Sequence, residues 1–129
     1  GMKLAHPEKT VIASCGDGTY MFNNPTACHF VSQAYNLPML TIVCNNAIWH
    51  SSKAATQQVL PDGWAQSTGS FPLCELSPSP RYERVVAPHG GYGEMVDDPA
   101  ELPAALKRAL KVVKDEKRQA VLNVICGTH

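Results

Sequence analysis

Thr10-Val11-Ile12-Ala13-Ser14-Cys15-Gly16-Asp17-Gly18-Thr19 joins an apolar run to a Gly-Asp-Gly turn, and the architecture of the chain follows from it. A short, mostly apolar run over 10–15 predicts a buried strand. The glycines flanking Asp17 predict a turn where the backbone passes close to something else. Asn23-Asn24-Pro25 follows, with Asn24 expected as helix cap and Pro25 at the first helical position. Ala27, Phe30, Val31 and Ala34 recur at helical spacing, so a helix is predicted over 25–36, ended by Leu37-Pro38. The run over 39–44 is apolar except for Thr41, as expected of a parallel strand, and Asn45-Asn46 stops it. Two predicted strands thus end in polar groups.

Further along, Gly90-Gly91 reads as a turn before a strand over 92–96. Asp98-Pro99-Ala100-Glu101 reads as a helix start, with Asp98 as cap and Glu101 reaching back in a capping box. Leu102, Leu106, Ala109, Leu110 and Val113 form one apolar stripe, and a last strand is predicted over 121–126. Residues 47–80 show no period and are expected to be a long, functional or mobile loop. A short helix is expected over 80–87. Strands alternating with helices predict an α/β domain, a mostly parallel sheet with helices on both faces, in a single unit over 1–129.

Composition narrows the function. With 129 residues and 44% of them hydrophobic, the chain can build one real core, which excludes bulk disorder. Eleven basic and eleven acidic residues cancel, which argues against a nucleic-acid or polybasic membrane binder. Lys107, Arg108, Lys111, Lys114, Lys117 and Arg118 read as a solvated helix end, where the dipole favours cations. No apolar run approaches the roughly 18 residues needed to span a bilayer. Five cysteines without a C-x-x-C pair indicate neither a disulfide framework nor structural zinc, so a reducing cytoplasmic home is expected. Cys15, Cys44 and Cys126 lie in apolar runs and are expected as small buried hydrophobes.

In open parallel sheets, ligands bind beyond the carboxyl ends of strands. Asp17 offers a carboxylate there and Asn46 an amide carbonyl, both hard oxygen ligands suited to Mg²⁺. Gly16 and Gly18 would let backbone approach a diphosphate, with amides after Asp17 facing its oxygens. G-x-G-x-x-G and G-K-[ST] are both absent, which disfavours an NAD- or ATP-binding domain.

Gly16-Asp17-Gly18 followed, 26 residues on, by Asn45-Asn46 resembles the signature of thiamine diphosphate enzymes. The resemblance extends through 15–24, 36–46, Pro61-Asp62-Gly63-Trp64, Gly90-Gly91-Tyr92-Gly93-Glu94 and Asp98-Pro99-Ala100-Glu101-Leu102. It points to the C-terminal cofactor domain of the acetolactate synthase and 2-oxo acid decarboxylase group. It implies Asp17, Asn46 and the Ile48 carbonyl as Mg²⁺ ligands, with Gly16, Gly18 and Thr19 also holding the diphosphate. It also implies that the glutamate protonating the aminopyrimidine ring lies in a separate pyrimidine-binding domain, in the same or a partner chain. Relatives are oligomers, so a homo-oligomer is expected. The usual first strand and helix of the domain, and the residue that bends the cofactor into its V shape, would lie upstream of this chain. The chain is therefore expected to be a partial cofactor domain with no catalytic residue of its own. The alternative is a non-catalytic remnant or split-enzyme subunit acting in assembly.

Other residues read more plainly. His29 is expected as a surface or capped histidine rather than one near the reacting centre. Trp49 and His50 follow the Asn pair and either line a pocket or, for Trp49, anchor the core. His6, His89 and His129 lack metal-ligand spacing.

Overall fold

The computed structural model describes residues 1–127; Thr128 and His129 lie outside the described residues. Strands β1 (Ile12–Gly16), β2 (Leu40–Asn45), β3 (Tyr92–Val96) and β4 (Ala120–Ile125) form one sheet in the order β1-β2-β4-β3. Every neighbouring pair is parallel. Helix α1 (Met2–Ala5) precedes β1, and α2 (Asp17–Phe22), α3 (Pro25–Ala34), α4 (His50–Val59), α5 (Trp64–Thr68) and α6 (Leu102–Lys114) lie in the connections. Parallel pairing demands such crossovers, because each strand must return to the same end of the sheet before the next begins.

Helix α6 forms as its stripe predicts. Asp98 accepts a hydrogen bond from the Ala100 amide at 2.9 Å and caps a 3-10 turn (Pro99–Glu101) that leads into the helix. Ala105, Ala109 and Val113 then pack on Leu40, Val96, Ala120 and Leu122, flanked by Leu102, Leu106 and Leu110. Each fully buried Leu or Val there contributes roughly 1.5–3 kcal/mol. On the other sheet face, Tyr20 of α2, Tyr82 of a 3-10 turn (Tyr82–Arg84) and Val86, just ahead of a second (Ala87–His89), cover Val43 and Val121.

Helix α3 is tied down by a polar joint. His29 is buried, with Nδ1 2.7 Å from Gln119 Oε1 and Nε2 2.6 Å from the Tyr20 hydroxyl. Gln119 Nε2 donates to the carbonyls of His29 (3.0 Å) and His89 (3.1 Å), so its Oε1 accepts. The imidazole therefore donates from Nδ1 and accepts the tyrosine proton at Nε2. Burial, against the Gln119 bond, holds it below its ordinary 6.5. His29 is thus neither a surface residue nor part of the strand-end site.

Several expectations need correction. Residues 47–80 are not one irregular loop, because α4 and α5 lie within them. No residue of α4 is buried, so a helix rich in Ala, Gln and Ser carries no apolar stripe to reveal it. The helix expected over 80–87 is two 3-10 turns, the second containing Pro88. Asn24 takes a left-handed conformation (φ 51°) and gives α3 no side-chain cap; its carbonyl accepts from Ala27 and Cys28 instead. Cys44 and Cys126 are exposed and Cys15 is half-buried, while the buried thiol is Cys74. Cys44 lies one step past Ile42 on the α6-facing side of β2, at its carboxyl end, beyond the α6 core. None of the five cysteines is paired. Among the described residues, no helix is long and apolar enough to cross a membrane.

Candidate functional site

Strand register sets the site. Gly16 pairs with Cys44, so Asp17 and Asn45-Asn46 leave the sheet side by side at its carboxyl edge. Gly16, Asp17, Gly18, Thr19, Asn46 and Ile48 all line one cleft of 480 Å³, which Trp49 and His50 also border.

Asp17 is only 2% exposed. Its Oδ1 accepts the Gly18 amide at 2.9 Å, whereas Oδ2 is buried without a hydrogen-bond partner. A buried carboxylate oxygen with no donor is costly, and native proteins keep one where something else supplies the positive charge. Tyr82 lies behind it. Burial first, then the negative charge of Asp17, push the tyrosine up to about 12, so it stays protonated.

The second strand end is shaped by hydrogen bonds. Ile48 forms an antiparallel bridge with Glu75. The Trp49 amide donates to the Cys74 carbonyl (2.7 Å) and the Leu76 amide to the Ala47 carbonyl (2.8 Å). These neighbours take the bridge's bonds, so the peptide groups of Ile48 itself point away from that partner. Asn46 Oδ1 accepts the Ile48 amide at 3.3 Å. An amide oxygen has two lone pairs, so one is left over. Ala47, between them, sits at φ 55°, a strained conformation for a residue with a Cβ.

Asn45 braces this loop from inside. Its Oδ1 accepts the Ala47 amide (3.0 Å), and its Nδ2 donates to Ser79 Oγ (2.8 Å) and to Asn123 Oδ1 (3.0 Å). Asn123 Nδ2 donates in turn to Glu83 Oε2 (2.8 Å), and Arg81 Nε donates to Glu83 Oε1 (2.5 Å). Burial alone would push the Glu83 carboxyl up; the Asn123 and Arg81 donors reverse this and hold it below 4.5. Glu83 comes this close to the sheet because Gly93 has no side chain, since a Cβ there would collide with the Glu83 carbonyl. An unbroken polar chain thus runs from surface Arg81 to the turn that carries Asn46 and Ile48.

At the cleft wall, a Cβ on Gly18 would collide with the Trp49 indole at Cδ1 and Nε1. Only glycine lets the ring seat against that backbone. The Trp49 Nε1 nitrogen is buried without a partner. The described lining carries one acid, Asp17, and no lysine or arginine.

The family model described as "Thiamine pyrophosphate enzyme, C-terminal TPP binding domain" matches residues 1–124. The chain belongs to that family. It is 35% identical over 107 residues to the acetolactate synthase large subunit IlvG of Mycobacterium tuberculosis, covering 83% of this chain and 18% of that protein. It is 32% identical over 123 residues to 2-hydroxyacyl-CoA lyase 1 of Mus musculus, covering 92% of this chain and 20% of that one. Among solved structures, a thiamine diphosphate-dependent 4-hydroxybenzoylformate decarboxylase of Rhodococcus jostii RHA1 shares the fold. Its TM-score is 0.71 at 21% identity, over 98% of this chain and 21% of that one. The chain therefore spans about a fifth of the length of the relatives it matches.

The family implies thiamine diphosphate as ligand, with Mg²⁺ as its usual metal partner. The chemistry of the cleft fits that pair. The orphaned Asp17 Oδ2 and the spare lone pair of Asn46 are hard oxygen donors of the kind Mg²⁺ takes. Among the described residues, no group of three or more His, Cys, Asp or Glu could hold a metal. A site with a single carboxylate suits a cation that shares its shell with ligand phosphates. Three features escaped the sequence reading: the Asn45 brace, its Glu83–Asn123 support, and the seating of Trp49 on Gly18. The signal for the last was present, in a Gly next to Asp17 and a Trp just after the Asn pair.

Proposed function

We propose that this domain holds thiamine diphosphate through Mg²⁺, as part of an acetolactate synthase-like enzyme that converts 2-oxo acids by decarboxylation or carboligation. The observation that carries the reading is the unpartnered Asp17 Oδ2 in a cleft with no Lys or Arg. A diphosphate brought beside that carboxylate would be repelled unless a divalent cation stood between them. Asp17, Asn46 Oδ1 and the Ile48 carbonyl are the metal ligands in this proposal, and Gly16, Gly18 and Thr19 line the diphosphate. When bound, thiamine diphosphate supplies an electron sink for a bond broken next to a carbonyl.

This chain's own part is to bind and orient. The Asn45 brace holds the Asn46–Ile48 turn in shape before ligand arrives, so little order is lost on binding. Asp17 is the one carboxylate of the described lining and is committed to the cation, which leaves no second carboxyl group there for the cofactor's pyrimidine ring. That group belongs to another domain, in the same chain or in a partner subunit, and a homo-oligomer fits this arrangement. The names of the relatives, acetolactate synthase and 2-hydroxyacyl-CoA lyase, support the 2-oxo acid or neighbouring acyl class.

The test is a calorimetric titration of the chain with thiamine diphosphate, with and without Mg²⁺, beside Asp17→Ala and Asn46→Ala. The proposal expects Mg²⁺-dependent heat that both variants lose. Equal binding without any divalent cation would overturn the clamp.

A further inference from the structure

Of the three buried polar atoms without partners among the described residues, the Tyr82 hydroxyl belongs to a residue outside the cleft lining; the other two, Asp17 Oδ2 and Trp49 Nε1, belong to residues that line the cleft, and they want opposite things. Asp17 Oδ2 is an acceptor only, and a cation satisfies it. Trp49 Nε1–H is a donor only, and no cation can satisfy it. A metal ion alone would still leave the indole N–H buried and unpaired. An anion alone would be repelled by Asp17. A ligand that brings a cation and an anionic oxygen together answers both.

We propose that the Trp49 indole N–H is a hydrogen-bond donor to the anionic end of the ligand, so that Trp49 is a diphosphate-recognition residue of this site. The inference rests on the metal–diphosphate reading above and extends it to a side chain. Three observations carry it. The indole borders the cleft beside Asp17, Gly18 and Thr19. It is seated so closely on Gly18 that no Cβ fits beneath it, which places the nitrogen against the backbone of the Gly-Asp-Gly turn. The lining has no lysine or arginine to do the same work, so each neutral donor counts for more. The main chain that carries the ring is fixed too, because the Trp49 amide is bonded to the Cys74 carbonyl at 2.7 Å. Gly18 thereby has a second role, which is to give the indole its seat.

The chain has two tryptophans, Trp49 and Trp64, so two indole N–H resonances are expected in a ¹⁵N-correlated spectrum, and Trp64→Phe assigns them. Titrations would use Mg²⁺ alone, Mg²⁺ with thiamine, Mg²⁺ with inorganic pyrophosphate, and Mg²⁺ with thiamine diphosphate. The Trp49 N–H signal should move downfield with the two diphosphates and stay in place with Mg²⁺ alone or with thiamine. Calorimetry on Trp49→Phe, which keeps an aromatic ring and removes the donor, should show Mg²⁺–thiamine diphosphate binding weakened by about tenfold, the size of one charge-assisted hydrogen bond. If the wild-type chain binds in a Mg²⁺- and Asp17-dependent way but the indole signal does not move, the Trp49 role is overturned and the metal clamp stands. If the wild-type chain binds no thiamine diphosphate at millimolar concentration, both readings fall together.

Discussion

Asn123→Leu probes the polar chain that supports the site. Leucine keeps the branch at Cγ and removes both amide partners. The Glu83 carboxylate, 5% exposed, then loses the 2.8 Å donor to Oε2 and keeps Arg81 on Oε1. A lost hydrogen bond to a buried charge costs about 1.5–3 kcal/mol. Asn45 Nδ2 loses its 3.0 Å acceptor but retains Ser79 Oγ at 2.8 Å, so its share is smaller, about 0.5–1 kcal/mol. The sum is about 2–4 kcal/mol at neutral pH, read as a fall in the urea midpoint. The pH dependence makes the test specific. In the wild type, Glu83 titrates below its ordinary 4.5, so its contribution is full above that value and is lost as the pH falls beneath it. In the variant, burial meets less opposition and the carboxyl moves up. The folded variant then differs less from the unfolded chain in its proton affinity, and loses less stability than the wild type as the pH falls below 4.5. The gap between the two proteins should therefore narrow from pH 7 to pH 4. A gap below about 1 kcal/mol at pH 7, or one that does not change with pH, would refute the assignment of a buried, ionised Glu83 held by Asn123.

Other outcomes follow from the same structure. Asp17→Asn keeps an acceptor for the Gly18 amide and removes the unpartnered charge, so the ligand-free protein should melt at the same temperature or higher while Mg²⁺-dependent binding disappears; a drop of several degrees would mean that Asp17 is structural. Gly93→Ala should destabilise by about 1–3 kcal/mol in urea unfolding, because its Cβ meets the Glu83 carbonyl, and a neutral effect would contradict that close approach. Burial holds His29 below 6.5, so the unfolded chain binds a proton first as the pH falls, and stability should decline as the pH falls from about 6.5; His29→Gln should flatten that decline. Gly18→Ala should displace the Trp49 indole and red-shift its emission in a Trp64→Phe background, whereas unchanged emission would argue against the seat.

Much of this architecture is legible in the sequence where one physical signal dominates. The strands over 39–44 and 92–96 and the stripe of α6 read out cleanly, because burial against one sheet imposes a period on the chain. The Gly-Asp-Gly turn and the Asn pair read as one site because parallel strands must end at the same edge. Helix α2 went unread because it is six residues long and begins at Asp17, the residue that marks the motif. Helix α4 buries nothing, so no periodicity betrays it. The Asn45 brace joins residues 34 and 78 positions apart, and nothing local in Asn45 announces partners at Ser79 and Asn123. His29 reads as a surface residue for the same reason, because its acceptor Gln119 lies 90 residues away. Cys44 read as buried because its strand is apolar, yet it stands where β2 leaves the core and opens onto the cleft.

In the proposed clamp, Asp17 and Asn46 hold a divalent cation together with a diphosphate, and neither one alone. Mn²⁺ in place of Mg²⁺ makes this directly visible, since free Mn²⁺ can be counted from its electron paramagnetic resonance signal. Adding thiamine diphosphate should draw Mn²⁺ onto the protein, adding thiamine should not, and Asp17→Asn and Asn46→Ala should each abolish the effect. Mn²⁺ uptake that is equal with thiamine and with thiamine diphosphate, or that survives in both variants, would contradict the account.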